Sequence, residues 1–111
     1  KLWICVCIFL LSASFSSAQQ VVRITEPNAI NPAEVSIAIN PKDPDNMVAA
    51  SFQTGHPPRP RAASYHYVTF DGGKTWKTVP TPDPKNLVQG DDVIAFSQDG
   101  IAYHVHLSFD G

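Results

Sequence analysis

Cysteine is nearly absent from these 111 residues: Cys5 and Cys7 are the only two, and a bridge between them would close no useful loop. A disulfide-stapled small fold is therefore excluded. Basic excess is missing as well. Eight Lys and Arg stand against ten Asp and Glu for a formal net charge of −2, with no run of like charge, so no nucleic-acid partner is expected. No long hydrophobic run exists either. The stretch Leu2 to Leu11 is roughly half of the ~20 apolar residues that a membrane-spanning helix needs. An initiator methionine is lacking, and the chain stops at Asp110-Gly111 in what reads as a turn, so it is expected to be a piece of a longer protein. What it does have is ten prolines, six glycines and abundant Val, Ile, Thr, Tyr and Phe. That mixture predicts an all-β fold of short strands with punctuated turns.

The first eighteen residues have the layout of a secretory signal peptide. Lys1 is followed by the apolar run and then by Ser12-Ala13-Ser14-Phe15-Ser16-Ser17-Ala18, and cleavage is expected after Ala18. The mature product would be secreted or periplasmic, free of cysteine, and not membrane-bound.

Residues 19–33 read as a polar, extended lead, with Val21 to Ile24 as a candidate edge strand. Val35 to Ile39 alternates large and small apolar residues, which is strand periodicity. The stretch Asn40 to Asn46 crowds two Pro, two Asp and two Asn into seven residues and reads as a hairpin connection. Further strands are predicted at Met47 to Gln53, Ser64 to Thr69 and Thr75 to Val79. A Pro-rich loop around Gly55 to Arg61 and a tight turn at Asp71-Gly72-Gly73-Lys74 separate them. After the linker Pro80 to Gln89, strands are expected at Asp92 to Phe96 and Ile101 to Leu107. Ala38 lies on Ala95 at an offset of 57 and Val48 on Ala102 at 54, an internal repeat near 55 residues, the length of one four-stranded propeller blade.

Thr69-Phe70-Asp71-Gly72-Gly73-Lys74-Thr75-Trp76 matches the Asp-box pattern Ser/Thr-x-Asp-x-Gly-x-Thr-Trp at every fixed position. Such an Asp can accept turn amides, Gly73 permits positive φ, the Thr75 hydroxyl can close the turn and Trp76 can pack beneath it. Thr69, Asp71, Gly73, Thr75 and Trp76 are thus structural residues. On this motif, on Glu34 to Ser51 and on Gln89 to Phe96 followed by Asp99 to Tyr103, residues 34–111 resemble the sialidase-like BNR/Asp-box superfamily of β-propellers. The resemblance implies an N-terminal fragment of a propeller, six-bladed when complete. One blade would occupy residues 34–80 and the start of the next residues 91–111. Ser108-Phe109-Asp110-Gly111 resembles the opening of a second Asp box.

Propeller geometry would put Glu34, the loop with His56, Arg59 and Arg61, and the pair Asp91 and Asp92 on one face. They are the candidate substrate-binding residues, acids mixed with fixed cations. His104 and His106, two apart on one strand face, lack a third metal ligand, and Asp43 to Asn46 reads as a solvated turn rather than a calcium loop. No metal and no cofactor are expected.

Sialidases of this superfamily carry an Arg-Ile-Pro tripeptide entering the first blade, whose arginine clamps the substrate carboxylate. Here Glu34-Val35-Ser36 aligns with it, an acid where the clamp belongs, and Arg23-Ile24-Thr25 is only a partial echo upstream. At ~4 Å and an effective dielectric near 20, Glu34 would repel an anionic sugar by about 4 kcal/mol. A non-catalytic module binding a glycan or protein ligand is favoured. The alternative is an exo-sialidase-type hydrolase whose remaining catalytic residues lie beyond residue 111.

Overall fold

Alternating apolar and small residues, interrupted by Pro, Gly, Asn and Asp, produce six strands of four to eleven residues. The computed structural model describes residues 20–54, 61–83 and 85–110. Its strands are β1 (Ala33–Asn40), β2 (Asp43–Gln53), β3 (Ala63–Thr69), β4 (Lys77–Pro80), β5 (Val88–Phe96) and β6 (Ala102–Phe109). All pairings are antiparallel: β1 to β4 form a four-stranded meander, sheet A, and β5 with β6 a two-stranded sheet B. No helix occurs among the described residues. The expected signal peptide lies outside them.

Sheet B stacks on one face of sheet A. Val48, Ala50 and Ile94 are buried in that interface, with Ala38, Val68 and Phe96 packed around them. The small side chains of β1 and β2 let the large ones of β5 approach closely. Two hydrogen bonds cross beside this core: Ile94 N–H donates to Ser36 Oγ at 3.0 Å, and Gln89 N–H to the Ala62 carbonyl at 3.0 Å. The Gln89 side chain is almost fully buried, and its Oε1 accepts from Ser64 N–H at 3.1 Å. The other face of sheet A holds Ala49, Ala63, Tyr65 and Tyr67 under Ile24 and Trp76. Residues 21–24 are therefore not the edge strand expected from sequence; they cross this face as irregular cover. Arg23 turns back on its own segment, donating to the Thr25 hydroxyl and to the Glu26 and Pro27 carbonyls.

The repeat is visible in the register. Ala38 faces Val48 and Ala95 faces Tyr103, so the first strands superpose at an offset of 57 and the second at 55. Val48 corresponds to Tyr103, not to Ala102 as the sequence suggests. The first hairpin also differs from expectation. Asn40 pairs with Asp43 across the turn Pro41-Lys42, and an irregularity follows before Met47 pairs with Ile39. Side chains replace the lost ladder bonds: Asn40 Oδ1 accepts from Lys42 N–H, Asn40 Nδ2 donates to Asn46 Oδ1, and Asn46 Nδ2 donates to the Thr69 carbonyl. Asx side chains in this role let a strand continue through sequence that reads as loop. At the far end Ser108 and Phe109 pair with Gln89 and Val88, so they extend β6 instead of opening a second turn motif.

Between β3 and β4, the Thr69 to Trp76 turn is closed by its own side chains. Asp71 Oδ1 accepts from Thr75 N–H at 2.9 Å and from the Thr69 hydroxyl at 2.8 Å, while Asp71 Oδ2 accepts from the Thr75 hydroxyl at 2.6 Å. Thr69 Oγ1 in turn accepts from Asp71 N–H and Gly73 N–H. These bonds, the Thr75 hydroxyl first, hold the Asp71 carboxyl down at about 2. Gly72 and Gly73 both have left-handed backbones, at φ 69° and 87°, and Gly72 N–H donates to the Asp45 carbonyl. Trp76 is half-buried, its indole N–H donating to the Gly73 carbonyl at 3.0 Å.

Candidate functional site

Strand direction sorts the connections onto two ends. The Asp45 to Gly72 bond ties the first hairpin to the Asp71 turn at one end. At the other, Thr81 N–H donates to the Ser64 carbonyl and Gln89 N–H to the Ala62 carbonyl. Glu34, Arg61, Asp91 and Asp92 all lie at this second end; His56 and Arg59 fall outside the described residues.

Two bulges build the site. Between Ala33 and Ser36 the β1 register slips, and between Gly90 and Val93 the β5 register slips in the same way. The first bulged residue is left-handed in both, Glu34 at φ 54° and Asp91 at φ 55°. A non-glycine residue there costs of order 1 kcal/mol, which the surrounding ladder must offset. Glu34 Oε2 accepts from Asp91 N–H at 3.0 Å, so one bulge braces the next.

Asp91 and Asp92 both lie within β5 and point to opposite faces, as successive strand residues do. Asp91 is exposed on the rim. Asp92 is buried, with Oδ1 2.6 Å from His104 Nε2. Sequence grouping of the two acids as one site is thus resolved into a rim acid and an interface acid. Arg61 is exposed nearby, and Arg23 does not line this pocket.

An open pocket of about 260 Å³ lies between the two bulges, with Glu34 and Asp91 at its rim and Phe52, Leu107 and Phe109 as apolar wall. Carboxylates accept hydrogen bonds only, and an aromatic ring offers a flat apolar face. That combination suits a polyhydroxylated or cationic ligand. It opposes an anionic one, but more weakly than an effective dielectric near 20 implies. With Glu34 exposed, the repulsion at ~4 Å approaches the bulk-water figure of about 1 kcal/mol.

The wall was not legible from sequence, since Phe52 sits in an ordinary strand pattern and Phe109 reads as part of a second turn motif. Nor was His66, which meets His104 across the sheet interface with Nε2 2.7 Å from Nδ1. His104 and His106 do share a face, as their spacing implies, and their rings stack 4.9 Å apart. Among the described residues no group of three or more His, Cys, Asp or Glu side chains is arranged to hold a metal ion. No protein family, curated protein or solved structure matches the chain.

Proposed function

We propose that the chain is part of a secreted, sialidase-like Asp-box β-propeller and that it serves as a non-catalytic module binding a glycan or protein ligand, an uncharged glycan suiting it best. The observation that carries this is the pocket between the two bulges: carboxylates at Glu34 and Asp91 over a wall containing Phe52 and Phe109. A sugar ring can lay its apolar face on the aromatics and donate its hydroxyl protons to the carboxylates. Support for the propeller comes from the four-stranded meander, the 57-residue correspondence of β1 with β5 and the bonds that close the Thr69 to Trp76 turn.

The test compares neutral and sialylated oligosaccharides by titration calorimetry on the intact protein, alongside a fluorogenic sialoside assay. Neutral glycans should bind more tightly than sialylated ones, Phe52→Ala should lower that affinity at least tenfold, and sialoside turnover should be absent. Efficient turnover would establish the exo-sialidase instead, and absence of glycan binding would leave a protein ligand as the occupant.

A further inference from the structure

Away from the pocket, three polar side chains meet where sheet B stacks on sheet A. Asp92 Oδ1 lies 2.6 Å from His104 Nε2, and His104 Nδ1 lies 2.7 Å from His66 Nε2. His66 belongs to β3; Asp92 and His104 belong to β5 and β6. The two imidazoles meet edge to face at 87°, with centroids 4.3 Å apart. The chain of bonds therefore spans the two sheets.

For two neutral imidazoles beside a carboxylate, a single arrangement of protons satisfies both contacts. A carboxylate only accepts, so neutral His104 carries its proton on Nε2 and presents a lone pair at Nδ1. His66 must then donate from Nε2, which leaves its Nδ1 as a free lone pair. A proton added on His66 Nδ1 leaves the hydrogen bonds in place but sets a charge into the sheet interface, which opening would return to water. A proton on His104 Nδ1 would set two N–H groups head-on at 2.7 Å and break the junction.

We propose that Asp92–His104–His66 is an acid-released clasp between the two sheets, closed while His66 is neutral and loosened as His66 takes up a proton. Few charges would compensate such protonation. From β5 the facing group is Asp92; from β6 they are His106, stacked on His104, and Tyr103. On β4 Lys77 shares a face with Val79 and is exposed, while β1 and β2 present Ser36 and Val48. Val48, Val68, Val79 and Ile94 line the cavity beside the pair. Burial, then the neighbouring His104, hold His66 below the ordinary imidazole range; Asp92 pulls against this and His106 adds to it.

The sign follows. A base whose folded pKa is depressed binds more protons when released, so the clasp is at full strength above about 6.5 and weakens as pH falls below it. Each proton taken up on opening raises the opening equilibrium by up to about tenfold per pH unit.

The Ile94 amide, bonded to Ser36 Oγ across the sheets, reports opening. Hydrogen exchange of the intact protein is measured from pH 7.5 to 5.5, corrected for intrinsic rates and referred to amides of the central strand β2. Ile94 protection should fall at least fivefold relative to β2, and His66→Phe should flatten that ratio. A constant ratio in the wild type overturns the clasp, as does an unchanged pH dependence in His66→Phe. If that variant does not fold, long-range ¹H–¹⁵N spectra of wild type at pH 7.5 decide. Both rings protonated on Nε2 alone support the proposal, and a charged ring or an Nδ1–H tautomer overturns it.

Discussion

Glu34 and Asp91 occupy the same position in successive strand pairs: each is the left-handed first residue of a bulge, and the carboxylate of one accepts the amide of the other at 3.0 Å. This bond spans 57 residues of chain, one full repeat. It is exposed, so water can replace it in part. Glu34→Gln, which keeps an acceptor oxygen, should change stability by less than about 0.5 kcal/mol, and Glu34→Ala should cost about 0.5–1.5 kcal/mol. Glu34→Val should cost more than Ala, because a β-branched side chain is poorly tolerated at positive φ. Urea midpoints of the three variants check this order.

Tyr67 carries the outer face of sheet A. Its hydroxyl accepts from Gln53 Nε2 at 2.7 Å, and both residues are about 1% exposed. Tyr67→Phe strands a buried amide and should cost about 1–3 kcal/mol. Pairing it with Gln53→Met removes the stranded group while keeping volume, and the double variant should recover most of the loss. A double variant no more stable than Tyr67→Phe would show that the hydrogen bond is not what the position contributes.

The Asp71 carboxyl, held at about 2 by the Thr75 hydroxyl, the Thr75 amide and the Thr69 hydroxyl, lies below the ordinary aspartate value of 3.8. A depressed acid stabilises the fold above its unfolded pKa. Its contribution is lost as pH falls from about 3.8 through about 2. Titration of the Asp71 side-chain carbon by NMR should give a midpoint near 2, and Thr75→Ala should raise it toward the ordinary value. An ordinary midpoint in the wild type would contradict the bonding described.

Gly73 combines φ 87° with Met47 Cε at 3.2 Å from where a Cβ would stand. Met47 can give way, so backbone strain decides, and Gly73→Ala should destabilise by about 1–2 kcal/mol. Asn tolerates the left-handed region better, so Gly73→Asn should cost less. Thermal denaturation of the two variants tests the difference.

Much of the sheet was legible because its signals are local. Alternation in Val35 to Ile39 and in Ile101 to Leu107, and the Asp71 turn residues, each act within a few positions. The turn motif marks Gly73 but not Gly72, whose importance comes from Asp45, distant in sequence. Strand limits failed where distant side chains intervene, as Asn46 does in bonding the Thr69 carbonyl. The candidate site was legible only in part. Asp91 and Asp92 are neighbours in sequence yet serve different faces, because β5 begins at Val88 and not at Asp92 as the sequence suggests, so strand alternation separates them. His66 gave no signal, because its partner lies 38 residues away on another sheet.

The correspondence of β1 with β5 also fixes a direction. Ile37 and Ile39, both more than half exposed, are the counterparts of Ile94 and Phe96, the side chains sheet B sets against sheet A. Val93 and Ala95, exposed on the far side of sheet B, are the counterparts of Ser36 and Ala38, the surface that receives them. The two-sheet stack therefore ends in a plug on one side and a socket on the other. The two outer faces therefore differ in kind, and any further unit packed in the same register would set its own counterparts of Ile94 and Phe96 against the Val93 and Ala95 face.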